Sequence, residues 1–163
     1  MDIFGNTDPK LMPGHFFWSA IHLKYDSAIP ADISKQNFSV CPRHWYIDAD
    51  FQCATCQQEF TWTAGEQKAW FEEYHFWIDA FPVHCKKCRA ATRHLQRLRK
   101  EYDSTVAAAK TGGRLDQKRR IVDILRELKI SLGSLPKGMD ETMELLERQI
   151  ANRSERSAEG TSS

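Results

Sequence analysis

Four of the five cysteines form two identical pairs, Cys53-x-x-Cys56 and Cys85-x-x-Cys88, with 28 residues between them. A Cys-x-x-Cys pair on a tight turn aims two sulfurs at one point. Two such turns complete a closed tetrahedron around a metal ion, the geometry of structural rather than catalytic zinc. The expectation is therefore one structural Zn2+ held by Cys53, Cys56, Cys85 and Cys88, although a four-thiolate tetrahedron also suits iron. A thioredoxin-type redox centre needs only one pair in a strand–helix setting, and two matched pairs argue against it. Cys41 and His44 form a Cys-x-x-His pair, and His84 adjoins Cys85. Four thiolates already close the site, so these three residues are expected to stand outside it.

Catalysis requires a nucleophile, a base or an open metal position with a partner. The carboxylates Asp48, Asp50, Glu72 and Glu73 lie near the cysteines, and the simplest reading makes them solvated surface charges. The sequence shows no Gly-rich phosphate loop, His-Glu-x-x-His run or Gly-x-Ser-x-Gly elbow. The expectation is no enzyme and no catalytic residue.

The chain has 163 residues and a formal net charge of +1, which allows a small module with appendages. No apolar run approaches a membrane span. The opening Met1-Asp2-Ile3-Phe4-Gly5-Asn6 lacks the basic-then-apolar pattern of a secretory signal, which predicts a cytoplasmic location and reduced cysteines.

The elements that must position the cysteines are legible around them. Residues 1–42 carry Pro9, Pro13, Gly14 and Pro30 around the apolar run Phe16–Ile21 and read as an irregular lead-in with one short docking element. Residues 43–93 form the metal module, in which eleven aromatics lie between Trp45 and Phe81. So small a module buries little aliphatic surface and relies on large rings and a metal. Tyr46, Ile47 and Phe51 predict a strand, and Phe60-Thr61-Trp62-Thr63 its hairpin partner. Thr63-Ala64-Gly65-Glu66 is a capping box that starts a helix near residue 64, with Trp70, Phe71, Tyr74 and Trp77 as its apolar face.

Residues 94–153 read as a helical region. One long helix spans about Lys86 to Lys110, with Leu95, Leu98, Tyr102 and Val106 on one face, and Thr111-Gly112-Gly113 stops it. A second runs from about Leu115 to Ile130 with Ile121, Ile124, Leu125 and Leu128 inward. After a break at Gly133 and Pro136, a third covers about Met139 to Asn152 with Met139, Met143, Leu146 and Ile150 inward. Residues 154–163 are small and polar and predict a disordered tail.

Three segments carry a family resemblance: Tyr46-Ile47-Asp48-Ala49-Asp50-Phe51-Gln52-Cys53-Ala54-Thr55-Cys56, then Trp62-Thr63-Ala64-Gly65-Glu66-Gln67-Lys68-Ala69-Trp70-Phe71-Glu72, then Cys85-Lys86-Lys87-Cys88-Arg89. Residues 43–93 resemble a probable zinc-ribbon domain family of bacterial proteins. Its pattern opens on aromatic-Asp-x-x-Phe-x-Cys-x-x-Cys, centres on Trp-Thr-x-x-x-Gln-x-x-Trp and closes on Cys-x-x-Cys-Arg. Leu115–Val122 and Glu147-Arg148-Gln149 resemble the tails of its longer members. Gln57 departs from the glycine that often follows the second cysteine of a knuckle. The resemblance implies zinc binding and a ribbon fold, and brings no activity with it. The fold class expected is small α+β: a four-cysteine zinc ribbon of short β-hairpins plus one helix, followed by an α-helical hairpin or bundle.

Charge is segregated along this module. Residues 45–84 hold seven acids and one lysine, a net of −6, and four thiolates on zinc add a formal −2. Residues 86–100 hold seven bases and no acid. Such segregation suits a binding adaptor whose faces recruit a complementary surface on a protein partner. The alternative is a nucleic-acid binder with Lys86, Lys87, Arg89, Arg93, Arg97 and Arg99 on phosphates of RNA or DNA. The bland reading of those bases is counter-charge or a solvated helix face. No membrane partner is expected.

Overall fold

Alternation along Trp45–Gln52 sets the frame of the molecule. Ile47, Ala49 and Phe51 are buried while Asp48 and Asp50 between them stay half-exposed, so the segment is a strand with one face on a core. In the computed structural model, which describes residues 4–17 and 19–159, this strand is the centre of an antiparallel sheet of order β1-β2-β3. The strands are β1 (His22–Pro30), β2 (Trp45–Gln52) and β3 (Glu59–Trp62). Ala49 opposes Trp62 and Phe51 opposes Phe60 across β2–β3. The β1–β2 register breaks between Lys24 and Ile29. There the Ser27 hydroxyl accepts from the Asp48 amide at 2.8 Å, which satisfies a ladder donor that the bulge would leave open.

The lead-in 1–42 is thus not irregular throughout, because β1 is a nine-residue strand within it. Leu23 and Tyr25 alternate with polar neighbours and pack on the core, a period-two signal. A 3-10 turn, Gly14–Phe17, leads into the apolar run expected as the docking element and buries its first two residues, Phe16 and Phe17; Trp18 of that run lies outside the described residues.

Helix α1 (Ala64–Lys68) starts where the capping threonine predicts, and the Glu66 amide donates to Thr63 Oγ1 at 3.2 Å. It continues as a π-helical turn over Ala69–Glu73. The expected apolar face is corrected beyond that point. Phe71 is fully buried and Trp70 packs on the core, but Tyr74 and Trp77 are exposed. The π turn shifts the side-chain register, and His75, with φ of 53°, ends the helical path.

The chain divides into two compact units, residues 1–89 and 90–163. The core of the first contains Met12, Phe16, Phe17, Tyr46, Ile47, Phe51, Trp62 and Phe71. The second contains most of α2 (Lys86–Thr111) together with α3 (Leu115–Leu132) and α4 (Lys137–Glu159). Its core is Leu98, Tyr102, Ile121, Ile124, Leu125, Leu128, Met139 and Leu146, the inward faces that the helical spacing predicts. Gly133 closes α3 in the left-handed conformation, φ 78°. Helix α4 runs on to Glu159, so residues 154–159 of the expected disordered tail are helical. Residues 160–163 of that tail lie outside the described residues. Among the described residues no helix is long and apolar enough to cross a membrane.

Candidate metal centre

The first cysteine pair sits on the turn that follows β2, and the second opens α2. Both turns are fixed by backbone hydrogen bonds. The Gln57 amide donates to the Cys53 carbonyl at 2.9 Å, and the Cys53 amide to the Gln58 carbonyl at 2.9 Å. The Arg89 amide donates to the Cys85 carbonyl at 2.9 Å as the first turn of α2 forms. Between the knuckles, the Ala54 amide donates to the Val83 carbonyl at 3.0 Å, and the Cys85 amide to Cys53 Sγ at 3.3 Å. Gln57 stands at φ 60°, a left-handed position that glycine fills at no steric cost. This is the structural content of the sequence departure at that position.

The four sulfurs Cys53, Cys56, Cys85 and Cys88 lie within 4.8 Å of one another, and Cys56 and Cys85 are 3.9 Å apart. A tetrahedron with metal–sulfur bonds of about 2.3 Å has edges of about 3.8 Å. The donor set therefore suits one tetrahedral thiophilic ion, with the longer sulfur–sulfur separations closing slightly around it. Cys53 is buried, Cys85 and Cys88 are half-buried and Cys56 is exposed.

Amide donors prepare the site for thiolates. The Cys53 thiol is held at about 5, far below its ordinary 9.0, chiefly by the backbone amides of Cys56 and Cys85 on its sulfur. Cys88 is pushed up to about 12, first by hydrogen bonding with the Cys85 sulfur and then by burial. A metal ion removes that conflict by taking all four sulfurs as thiolates.

Cys41, His44 and His84 stand outside the cluster. His84 Nδ1 is 3.0 Å from Thr55 Oγ1, and Cys41 packs against the aromatic core. Among the described residues the four cysteines are the one metal-competent group of Cys, His, Asp and Glu.

The remaining motif residues position the knuckles. Gln67 is fully buried; its Nε2 donates to the Ile47 carbonyl at 2.5 Å and the Trp62 carbonyl at 3.1 Å, which ties α1 to two strands. Trp62 fills the space beneath, with Trp70 and Phe71 edge-on to it at 5.2 and 5.8 Å. Arg89, the residue after the last ligand, lies over Trp70 at 5.4 Å with Glu66 3.8 Å away.

Three of the four carboxylates expected as solvated charges instead hold the fold. Asp48 accepts from the Ala64 amide at 2.6 Å at the helix entry. Asp50 takes Lys24 at 2.8 Å and Thr61 at 2.5 Å, and these bonds keep its carboxyl below the usual range. Glu72 is buried and accepts from the Asp32 amide at 2.8 Å. Glu73 is exposed.

The basic run divides likewise. Arg89 is engaged as above, and Arg99 donates to Asp103 at 3.2 Å and to Met139 Sδ at 3.1 Å. Lys86, Lys87, Arg93, Arg97 and Lys100 are exposed and make no ion pair among the described residues. Lys100 was absent from the expected contact set, although its spacing from Arg93 and Arg97 puts all three on one helix face.

Residues 47–97 match the family model described as "Probable treble clef domain". The molecule has a strand–turn knuckle followed by a second knuckle at a helix start. The comparisons with curated proteins and with solved structures returned no match.

Proposed function

We propose that the four thiolates hold one structural zinc ion, and that the unit they brace is a non-catalytic adaptor for a protein partner. All four corners of the tetrahedron are protein sulfurs, which leaves no position for an activated water or a substrate. The metal's role is then to lock two knuckles and the start of α2 into one frame.

One observation carries the adaptor reading. Tyr74, Phe76 and Trp77, three rings in four residues, are 63, 46 and 56 % exposed on a segment anchored to that frame. Contiguous exposed aromatics are the composition of interface cores. Capture from native lysate with zinc-loaded chain tests the reading. A protein that survives nuclease and is lost with the double variant Tyr74→Ser, Trp77→Ser supports it. A nuclease-resistant protein retained by that variant overturns it.

A second reading has its own support in α2. Among the described residues, five of the seven bases between residues 86 and 100 make no ion pair, and counter-charge accounts there for Arg89 and Arg99. Arg93, Arg97 and Lys100 form a stripe suited to the phosphates of RNA or DNA. Captured material that disappears with nuclease, and with reversal of those three charges, would favour it.

A further inference from the structure

Ring faces in the first unit receive guanidinium groups at both places where the chain supplies one. Arg43 lies 5.0–6.0 Å from the centres of Phe16, Phe17, Trp62 and Phe71. Arg89 lies over Trp70 at 5.4 Å with the Glu66 carboxylate 3.8 Å away. The aromatic array does not stop at Trp70. It continues edge-on to Phe76 at 5.3 Å, and from Phe76 to Tyr74 at 6.2 Å. Its inner end is occupied by Arg89. Among the described residues no cation of the chain lies over its outer rings, nor over Trp77.

The backbone that carries the outer rings is held in place. Phe76 donates its amide to the Trp70 carbonyl at 3.0 Å, Ile78 to the Asn37 carbonyl at 3.0 Å, and Ala80 to the Trp77 carbonyl at 2.9 Å. His75 occupies a left-handed conformation, φ 53°, with its Nδ1 3.1 Å from the Lys35 carbonyl. A non-glycine residue in that region marks a turn the surroundings determine. A backbone ordered in advance loses little entropy when the segment binds.

The charge at the ends of this segment is negative. Glu73 precedes the rings and Asp79 follows them, both exposed. The nearby cations are already engaged: Lys35 by Asp32 at 3.1 Å, and Lys68 by the buried Glu72 at 3.9 Å. Exposed rings on a segment flanked in sequence by carboxylates complement a cation that is planar and weakly hydrated, as a guanidinium is. A phosphate-bearing ligand would meet the wrong charge here.

We propose that Tyr74, Phe76 and Trp77, with Glu73 and Asp79 at the two ends, form a docking surface for an arginine-bearing segment of the protein partner. An external guanidinium would repeat on the outer rings what Arg89 does on Trp70 with Glu66. This inference rests on the adaptor reading and supplies the partner's chemistry.

A random short-peptide display library selected on the full zinc-loaded chain tests it. Retained zinc and an unchanged circular-dichroism spectrum confirm that each variant is folded. Enriched peptides are expected to carry arginine. Exchanging that arginine for neutral, isosteric citrulline should weaken binding roughly three- to thirty-fold, the range for cation–π contacts from exposed to desolvated. Glu73→Gln with Asp79→Asn should weaken it further and flatten its salt dependence. Peptides lost with Tyr74→Ser, Trp77→Ser but indifferent to citrulline would overturn the arginine inference while leaving the adaptor surface standing. Peptides indifferent to the ring variant, or no enrichment at all, would overturn both.

Discussion

The guanidinium carbon of Arg43 lies 5.1 Å from the centre of the Phe71 ring, with no carboxylate in ion-pair contact among the described residues. The side chain is 1 % exposed. Phe16, Phe17 and Trp62 complete the enclosure, and Nη2 donates to the Phe16 carbonyl at 2.9 Å, while Nε and Nη1 find no acceptor. Burial lowers its ordinary 12.5 to about 10, against the opposing field of Asp79, so it is charged at neutral pH. The rings thus stand in for a counter-ion, and the same cation ties the N-terminal Phe16 and Phe17 to the strand and helix behind the metal knuckles.

Two substitutions separate charge from shape at Arg43. Arg43→Lys keeps the charge but concentrates it on a strongly hydrated ammonium that cannot stack. Arg43→Met removes the charge and its desolvation cost while filling much of the volume. Lysine should cost about 3–5 kcal/mol, the range for an uncompensated buried charge, and methionine should cost less. Denaturant unfolding of the zinc-loaded variants, followed by tryptophan emission, ranks them. Methionine worse than lysine would show that the cation–ring contacts dominate over desolvation.

The metal ligands were legible because their signal is local: a cysteine pair needs only its own turn. The capping threonine Thr63 and the inward stripes of α2, α3 and α4 were legible for the same reason. Arg43 was not, since its environment comes from residues 16, 17, 62 and 71, which only tertiary packing assembles. Tyr74 and Trp77 continue a helical spacing perfectly well in sequence. Their exposure depends on one extra residue in the π turn and on the backbone of His75, neither of which alters the pattern of residue types. Asp48 and Glu72 look like surface carboxylates until the amides of Ala64 and Asp32 come to meet them.

Gln57→Gly should strengthen the first knuckle. The side chain at φ 60° carries a left-handed cost of about 1–2 kcal/mol. Its compensation is one exposed bond from Nε2 to the Ala54 carbonyl at 3.1 Å, worth about 0.5–1.5 kcal/mol. The expected result is a gain of a few tenths to about 1 kcal/mol in stability or metal affinity. Competition with a chromophoric chelator reads it; weaker binding in the glycine variant would mean that the Gln57 side chain orders the turn.

Metal uptake should release fewer than four protons at neutral pH. Cys53, held at about 5 in the metal-free fold, is already a thiolate at pH 7 and has no proton to release. Cys88, pushed up to about 12, must lose one. As pH falls from 7 through 5, Cys53 gains a proton and release on metal binding should rise by one. Calorimetry in buffers of differing ionisation enthalpy measures this directly. Release that stays constant across that range would show that Cys53 is not the pre-ionised ligand.

Charge reversal at Arg93, Arg97 and Lys100 should leave the fold intact, since all three are exposed and make no ion pair among the described residues. If the chain binds single-stranded nucleic acid through that stripe, losing three phosphate contacts should reduce the slope of log affinity against log salt by about 2. Filter binding to an RNA oligomer across a salt series gives both slopes. Binding with an unchanged slope would place the contact elsewhere.

Removal of the metal should separate the two units by stability. Every tryptophan falls within residues 1–89 of the sequence, and the described ones, Trp45, Trp62, Trp70 and Trp77, lie in the first unit, whereas most of α2 and all of α3 and α4 belong to the second. Tryptophan emission therefore reports the first unit, and the helical circular-dichroism signal reports mainly the second. Zinc is worth about 10–16 kcal/mol in finger peptides, comparable with the whole stability of an ordinary domain. The second unit has a core of its own in Ile121, Ile124, Leu125, Leu128 and Leu146, and none of its residues is among the four ligands. Chelation should shift the emission and lower its thermal midpoint, while most of the helical signal persists to a separate, higher transition. Emission and helicity lost together in one transition would show that the two units fold as a single cooperative body. A native emission spectrum after confirmed metal loss would show that the aromatic core, with Arg43 at its centre, holds the first unit without the ion.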